Sequence, residues 1–95
     1  EYLSGFGTLA TVSVTTPGTA VRLTATETAI HGIIIQARRT NTGFVFVGGS
    51  DVLASSNLGV CLAALDWYFF PFKDIRPIYI DATVGGEGIS YVPFI

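Results

Sequence analysis

The stretch Ala10-Thr11-Val12-Ser13-Val14-Thr15, then Thr16-Pro17-Gly18-Thr19, then Val21-Arg22-Leu23-Thr24-Ala25-Thr26, decides the fold class. Ala10, Val12 and Val14 share one side of an extended chain and the hydroxyls share the other. That is the period of two that a half-buried strand requires. Thr16–Thr19 supplies a turn, with Pro17 presetting φ and Gly18 admitting positive φ. The alternation then resumes, with Val21, Leu23 and Ala25 inward and Arg22, Thr24 and Thr26 outward.

The same reading extends along the chain. Ile30 to Arg38 is a strand in which Ile33, Ile34 and Ile35 place apolar groups on both faces. Arg38 to Gly43 is a polar loop, and Phe44-Val45-Phe46-Val47 is again apolar on both sides. Residues 52–58 read as loop with room for a helical turn. Leu58, Val60 and Leu62 alternate with Gly59, Cys61 and Ala63, which favours a strand. Trp67-Tyr68-Phe69-Phe70-Pro71-Phe72 puts five aromatics in six positions, and Pro71 marks an edge or a strand end. Lys73 to Arg76 is a charged loop, Pro77 to Asp81 a strand, Thr83 to Gly88 a turn, and Ile89 to Phe94 the last strand. Seven to eight short strands at this spacing predict an all-β fold, an antiparallel β-sandwich or jelly roll. Residues 8–95 form the single domain, and residues 1–7 an N-terminal arm carrying Tyr2, Leu3 and Phe6 between glycines.

Composition agrees and excludes several function classes. Thr, Val and Ile supply 29 of 95 residues, while a single Lys and no Met argue against long surface helices. Five Lys and Arg against seven Asp and Glu give a net charge of -2, so nucleic-acid binding through a basic groove is not expected. No apolar run approaches the roughly 18 residues of a membrane span. Glu1-Tyr2-Leu3-Ser4-Gly5 lacks the basic and apolar regions of a signal peptide. Charged residues are only 13% of the chain, about half the usual share of roughly 25%. Hydrophobic residues reach 49% and mean hydropathy is +0.57. A monomer this apolar and this sparsely charged is expected to hide surface against a protein partner or further copies. Two neighbours covering about 800 Å² each would suffice.

No residue set carries recognisable chemistry. His31 shares a strand phase with Ile33 and Ile35 and is expected to be a partly buried, hydrogen-bonded imidazole. Cys61 lies between Val60 and Leu62 and reads as a small buried hydrophobe. Asp51, Asp81 and Glu87 lie near glycine-rich loops without the spacing of a calcium loop. Gly85-Gly86-Glu87-Gly88 joins two strands and reads as a hairpin turn, since phosphate loops open a helix. No catalytic residue, metal, cofactor or small-molecule substrate is therefore expected. In the aromatic run, Trp67, Phe69 and Pro71 face one way and Tyr68, Phe70 and Phe72 the other. One set fills the core and the other requires a cover, because aromatics concentrate at interface centres. The expected interface comprises Tyr2, Leu3, Phe6, Ile34, Arg38, Arg39, Phe44, Phe46, Tyr68, Phe70 and Phe72. An aromatic face that stacks sugar rings in a glycan-binding module is the alternative.

Several segments resemble a group of small β-sandwich virion proteins of tailed bacteriophages. They are Val21-Arg22-Leu23-Thr24-Ala25-Thr26, Ile33-Ile34-Ile35-Gln36-Ala37-Arg38, the run from Asn41 to Val52, and the run from Pro77 to Tyr91. The likeness spans roughly residues 20 to 92 and rests on scaffold segments. It implies a non-enzymatic structural role, most simply a capsid decoration (cement) protein made in the host cytoplasm and carried on the capsid surface. It further implies a homotrimer, with the major capsid protein or another virion protein as partner. A tail, fibre or head-tail component is the alternative within the same particle. The chain departs from that pattern at Ala63–Phe70, where an apolar segment replaces a polar, acidic one, and this favours a covered strand.

Overall fold

The computed structural model describes residues 5–24 and 29–95. Among the described residues eight strands form: β1 Ala10–Ser13, β2 Val21–Arg22, β3 Ile33–Ala37, β4 Val45–Gly48, β5 Val60–Leu62, β6 Trp67–Phe70, β7 Tyr79–Ala82 and β8 Gly88–Pro93. Among the described residues the sole helical element is a 3-10 turn at Ala54–Ser56, inside the expected 52–58 loop. The sequence expectation of an all-β sandwich holds.

All pairings are antiparallel, and the strands form two sheets ordered β1-β8-β3-β6 and β2-β7-β4-β5. Only β4 and β5 are both sequence neighbours and sheet neighbours. Every other connection crosses from one layer to the other, which gives the strand order of an eight-stranded jelly roll. The Thr83–Gly88 segment is accordingly not a hairpin turn. It is an arch, because β7 pairs with β2 and β4 while β8 pairs with β1 and β3.

The core lies between the layers. Ile33, Ile35 and Ile89 from one sheet meet Val45, Val47 and Ile80 from the other, all essentially without exposure. Each such side chain contributes roughly 1.5–3 kcal/mol by leaving water. The alternation read from β1 is reproduced, with Thr11 and Ser13 exposed and Ala10 and Val12 packed on the core.

Two single-residue expectations are corrected. His31 is exposed, because Gly32 at φ +127° breaks the alternation before β3 begins. A side chain on Gly32 would also collide with Phe69, whose Cζ would lie 2.4 Å from an added Cβ. Cys61 is exposed as well. Val60 and Leu62 take the inward phase of β5, which turns the thiol to the outer face of an edge strand.

Candidate interaction surface

The solvent faces of the two sheets are built differently, and the candidate surface follows from that difference. On the β2-β7-β4-β5 sheet, Phe46, Cys61 and Asp81 lie opposite one another on the outer face. The loop between β4 and β5 folds back over Phe46 and Asp81 and leaves Cys61 exposed. Val52 packs above Gly48 and Gly59, where an added Cβ would meet its side chain at 3.3 and 2.8 Å. Phe46 is thereby left only 4% exposed. Asp81 is fully buried and pins two segments in place: its Oδ1 accepts the Gly18 N–H at 3.0 Å and its Oδ2 the Ala54 N–H at 2.9 Å.

The outer face of the β1-β8-β3-β6 sheet has no such cover among the described residues. Register places Val92, Ile34 and Phe69 in one row across β8, β3 and β6, and Leu9 keeps the outward phase of Thr11 beside it. Phe69 lies over Gly32 and against Phe94, ring centres 6.0 Å apart, and Phe94 meets Phe6 at 5.5 Å. The neighbouring row is Trp67, Gln36, Ser90 and Thr11. Trp67 is 60% exposed and Phe69 42%. A contiguous apolar surface of this kind marks an interaction site more often than scattered exposed residues do.

The expected interface residues divide accordingly. Ile34 and Phe6 belong to this face. Gly5–Gly7 is not a free arm: Gly5 and Ile95 exchange backbone hydrogen bonds and the Gly7 N–H donates to Pro93, so Phe6 is fixed beside β8. Tyr2 and Leu3 lie outside the described residues. Phe46 is not available to a partner, being covered by the chain's own loop. Phe70 is a core residue, since Tyr68 and Phe70 take the inward phase of β6 opposite Ile35 and Ile33. Tyr68 projects past the sandwich edge and stays 54% exposed, its ring edge-on to Phe70 at 5.1 Å. Phe44 and Phe72 are exposed away from this face. Trp67 and Phe69, left out of the expected interface, are the residues that the sheet presents. Their signal was present in the sequence as the other phase of the aromatic run.

Arg38 and Arg39 sit at the end of β3, where Arg38 is half-buried and Arg39 exposed. The Arg38 guanidinium donates to the Gly86 carbonyl at 2.9 Å. It belongs to a polar knot joining the β3–β4 and β7–β8 arches. In that knot the Glu87 carboxylate accepts the Gly43 N–H at 2.9 Å, the Thr42 N–H at 2.6 Å and the Thr42 hydroxyl at 2.8 Å. These bonds, the Gly43 and Thr42 amides foremost, hold the Glu87 pKa below the usual glutamate value. Asn41 completes the knot by donating to the Gly88 carbonyl at 2.8 Å.

A groove of about 590 Å³ opens beside the end of β6, lined by Val47, Val60, Phe70, Phe72, Pro77 and Ile78. Among the described residues no three His, Cys, Asp or Glu side chains converge as metal ligands, and no helix is long and apolar enough to cross a membrane. Comparison with family models, with curated proteins and with solved structures finds no match.

Proposed function

We propose that this chain is a non-enzymatic structural protein of a tailed-phage particle, a capsid decoration protein that works by covering its bare sheet face against neighbours. The observation that carries the reading is the apolar row Leu9, Val92, Ile34 and Phe69 with its Phe94–Phe6 flank, open to solvent on a chain that has few charges to offset it. The eight-stranded jelly roll supports it by fold analogy, since that architecture recurs in viral capsid domains. The sequence resemblance supplies the particle and the threefold assembly.

In this reading the outer face of the β1-β8-β3-β6 sheet is the adhesive surface, and the particle's many equivalent sites multiply a weak individual grip. The test is absolute molar mass by light scattering on a gel-filtration peak, followed by cosedimentation with capsids that lack this protein. Expected are an oligomer, a trimer for free protein, and saturable binding to the shell. A monomer that does not sediment with any capsid overturns the reading.

A glycan-binding module is favoured by one arrangement, the row that sets Gln36, Ser90 and Thr11 beside the exposed Trp67. Jelly rolls also occur among lectins. The Gln36 amide, however, already donates to the Leu65 carbonyl at 3.0 Å, which leaves less of the row free for sugar hydroxyls. A shift of Trp67 fluorescence on sugar titration would establish this second reading in place of the first.

A further inference from the structure

We infer that β6 is a pairing edge for β6 of a second copy, joined antiparallel about a twofold axis at Tyr68. The inference does not rest on the phage reading.

β6 ends the order of its sheet, so one side of its backbone has no strand partner among the described residues. Which groups that side offers follows from the ladder. The Arg38 N–H donates to Gly88 and the Phe94 N–H to Gly32, so the even-numbered residues of β3 bond to β8. The odd-numbered ones bond to β6, as the Ala37 N–H to Asp66 and the Leu65 N–H to Ala37 confirm at the bulge where Leu65 takes φ +69°. Ile35 therefore bonds Tyr68 and Ile33 bonds Phe70. The N–H and C=O groups of Trp67 and Phe69 point away from the sheet.

Natural edges are guarded by charge, by bulges that twist the strand away, or by proline. Trp67–Phe72 carries no charge, and Pro71 stands just past the strand, where it limits pairing to the residues before it. One antiparallel register uses every free group and avoids Pro71. It sets Trp67 opposite Phe69 of the second copy and Phe69 opposite its Trp67. Each of these two symmetric pairs then exchanges both N–H···O=C bonds. Tyr68 falls on the axis as a pair without mutual hydrogen bonds, where opposed Cα atoms approach to about 4.5 Å. The occupant is a second copy because the edge is self-complementary in this register: same groups, same aromatic face, no charge to repel. Sliding by one residue brings inward and outward side chains into opposition.

The area sets the strength. Trp67, Tyr68 and Phe69 are 60%, 54% and 42% exposed, and whole aromatic side chains bury about 150–250 Å² each. The rings therefore contribute roughly 500–800 Å² over two copies, below the roughly 1,200 Å² of a stable interface. The contact is predicted to be weak and reversible in dilute solution. It is a twofold contact, and inside a threefold assembly it joins one trimer to the next.

Cross-linking reads that geometry whatever the total stoichiometry. In a Cys61→Ser background, Tyr68→Cys is expected to form a disulfide-linked dimer on mild oxidation at high protein concentration, because the opposed Cα atoms lie within disulfide range. Phe69→Cys in the same background is expected to remain monomeric on a non-reducing gel. Its copies lie on the diagonal, about 7–8 Å apart before splaying. Unchanged circular dichroism checks that both variants fold, which the exposure of residue 68 favours. Selective capture of the Tyr68→Cys dimer supports the contact. Equal capture of both variants, or of neither, overturns it. That failure leaves the phage reading standing, since shell binding is measured separately.

Discussion

The two sheets face the same difficulty and answer it differently. Each carries apolar side chains on the face turned away from the core: Phe46 on one, Ile34, Val92 and Phe69 on the other. The first sheet spends the β4–β5 connection on the problem. Val52 lies against Gly48 of β4, the 3-10 turn is bonded to β7 through Ala54, and Asp81 ties that loop and the Pro17–Gly18 turn to the sheet through two backbone amides. The second sheet has no loop of that kind among the described residues, and its aromatics stay open. Outward apolar residues are therefore not by themselves evidence of a partner. What counts is whether the chain itself reaches back to cover them. Phe46 and Phe69 look alike in sequence and differ tenfold in exposure, 4% against 42%.

The largest predicted effect breaks the covered side. Asp81→Ala removes the acceptor of the Gly18 and Ala54 amides and leaves two part-buried donors without it. With hydrogen bonds to a carboxylate at about 1.5–3 kcal/mol each, losing the two gives an expected loss of about 3–6 kcal/mol in urea unfolding. Against a typical total of about 5–15 kcal/mol, that is enough to threaten folding. Asp81→Asn keeps one carbonyl acceptor and is expected to fall between the variant and the wild type. If both variants unfold at the wild-type midpoint, the loops are held by packing alone and Asp81 is not their anchor.

The bare side should behave in the opposite way. Ile34→Thr keeps a β-branched residue in the strand and removes apolar surface from the centre of the exposed row. Monomer stability is expected to change by about 1 kcal/mol or less, the range of a surface substitution. Association, read as molar mass against concentration, should weaken by an order of magnitude or more. A large stability loss with unchanged association would mean that this face serves the fold of its own chain, as the Phe46 face does.

How far the sequence discloses this contrast depends on the period of two. β1 is legible because its two faces differ in polarity, Ala10 and Val12 against Thr11 and Ser13, so alternation names the inward one. β6 is not, since Trp67-Tyr68-Phe69-Phe70 reads the same on both faces. Its phase is set by the bulge at Leu65 and by pairing with Ile35 and Ile33, neither of which alternation can express. The cover over Phe46 left a faint trace: glycines at 48 and 59 flank a loop that carries Val52, Leu53 and Leu58 among polar residues, the pattern of a segment that must approach a sheet closely. Asp81 at the end of Ile78-Tyr79-Ile80 was visible as a carboxylate in an apolar strand. Its partners, 63 and 27 residues away, were not. The same distance hides the role of Glu87, whose amide donors are 44 and 45 residues off in another arch.

Glu87 supplies the smallest effect and the control for the comparison, because it joins the arches at one end of the sandwich and touches neither outer face. Its carboxylate is stabilised by the Gly43 and Thr42 amides, so its folded pKa lies below the ordinary 4.5. A carboxylate with a depressed folded pKa adds stability above the unfolded value and loses it as pH falls through the folded one. The wild type should therefore exceed Glu87→Gln by a margin that is constant at neutral pH, begins to shrink near pH 4.5 and vanishes at lower pH. The acceptor is solvent-accessible, so the margin is expected to be small. Association through the bare face should not follow it. If the oligomer dissociates over that same acidic window in the wild type but not in Glu87→Gln, the arch knot governs the interface, and the two faces are coupled through the end of the sandwich that Glu87 ties.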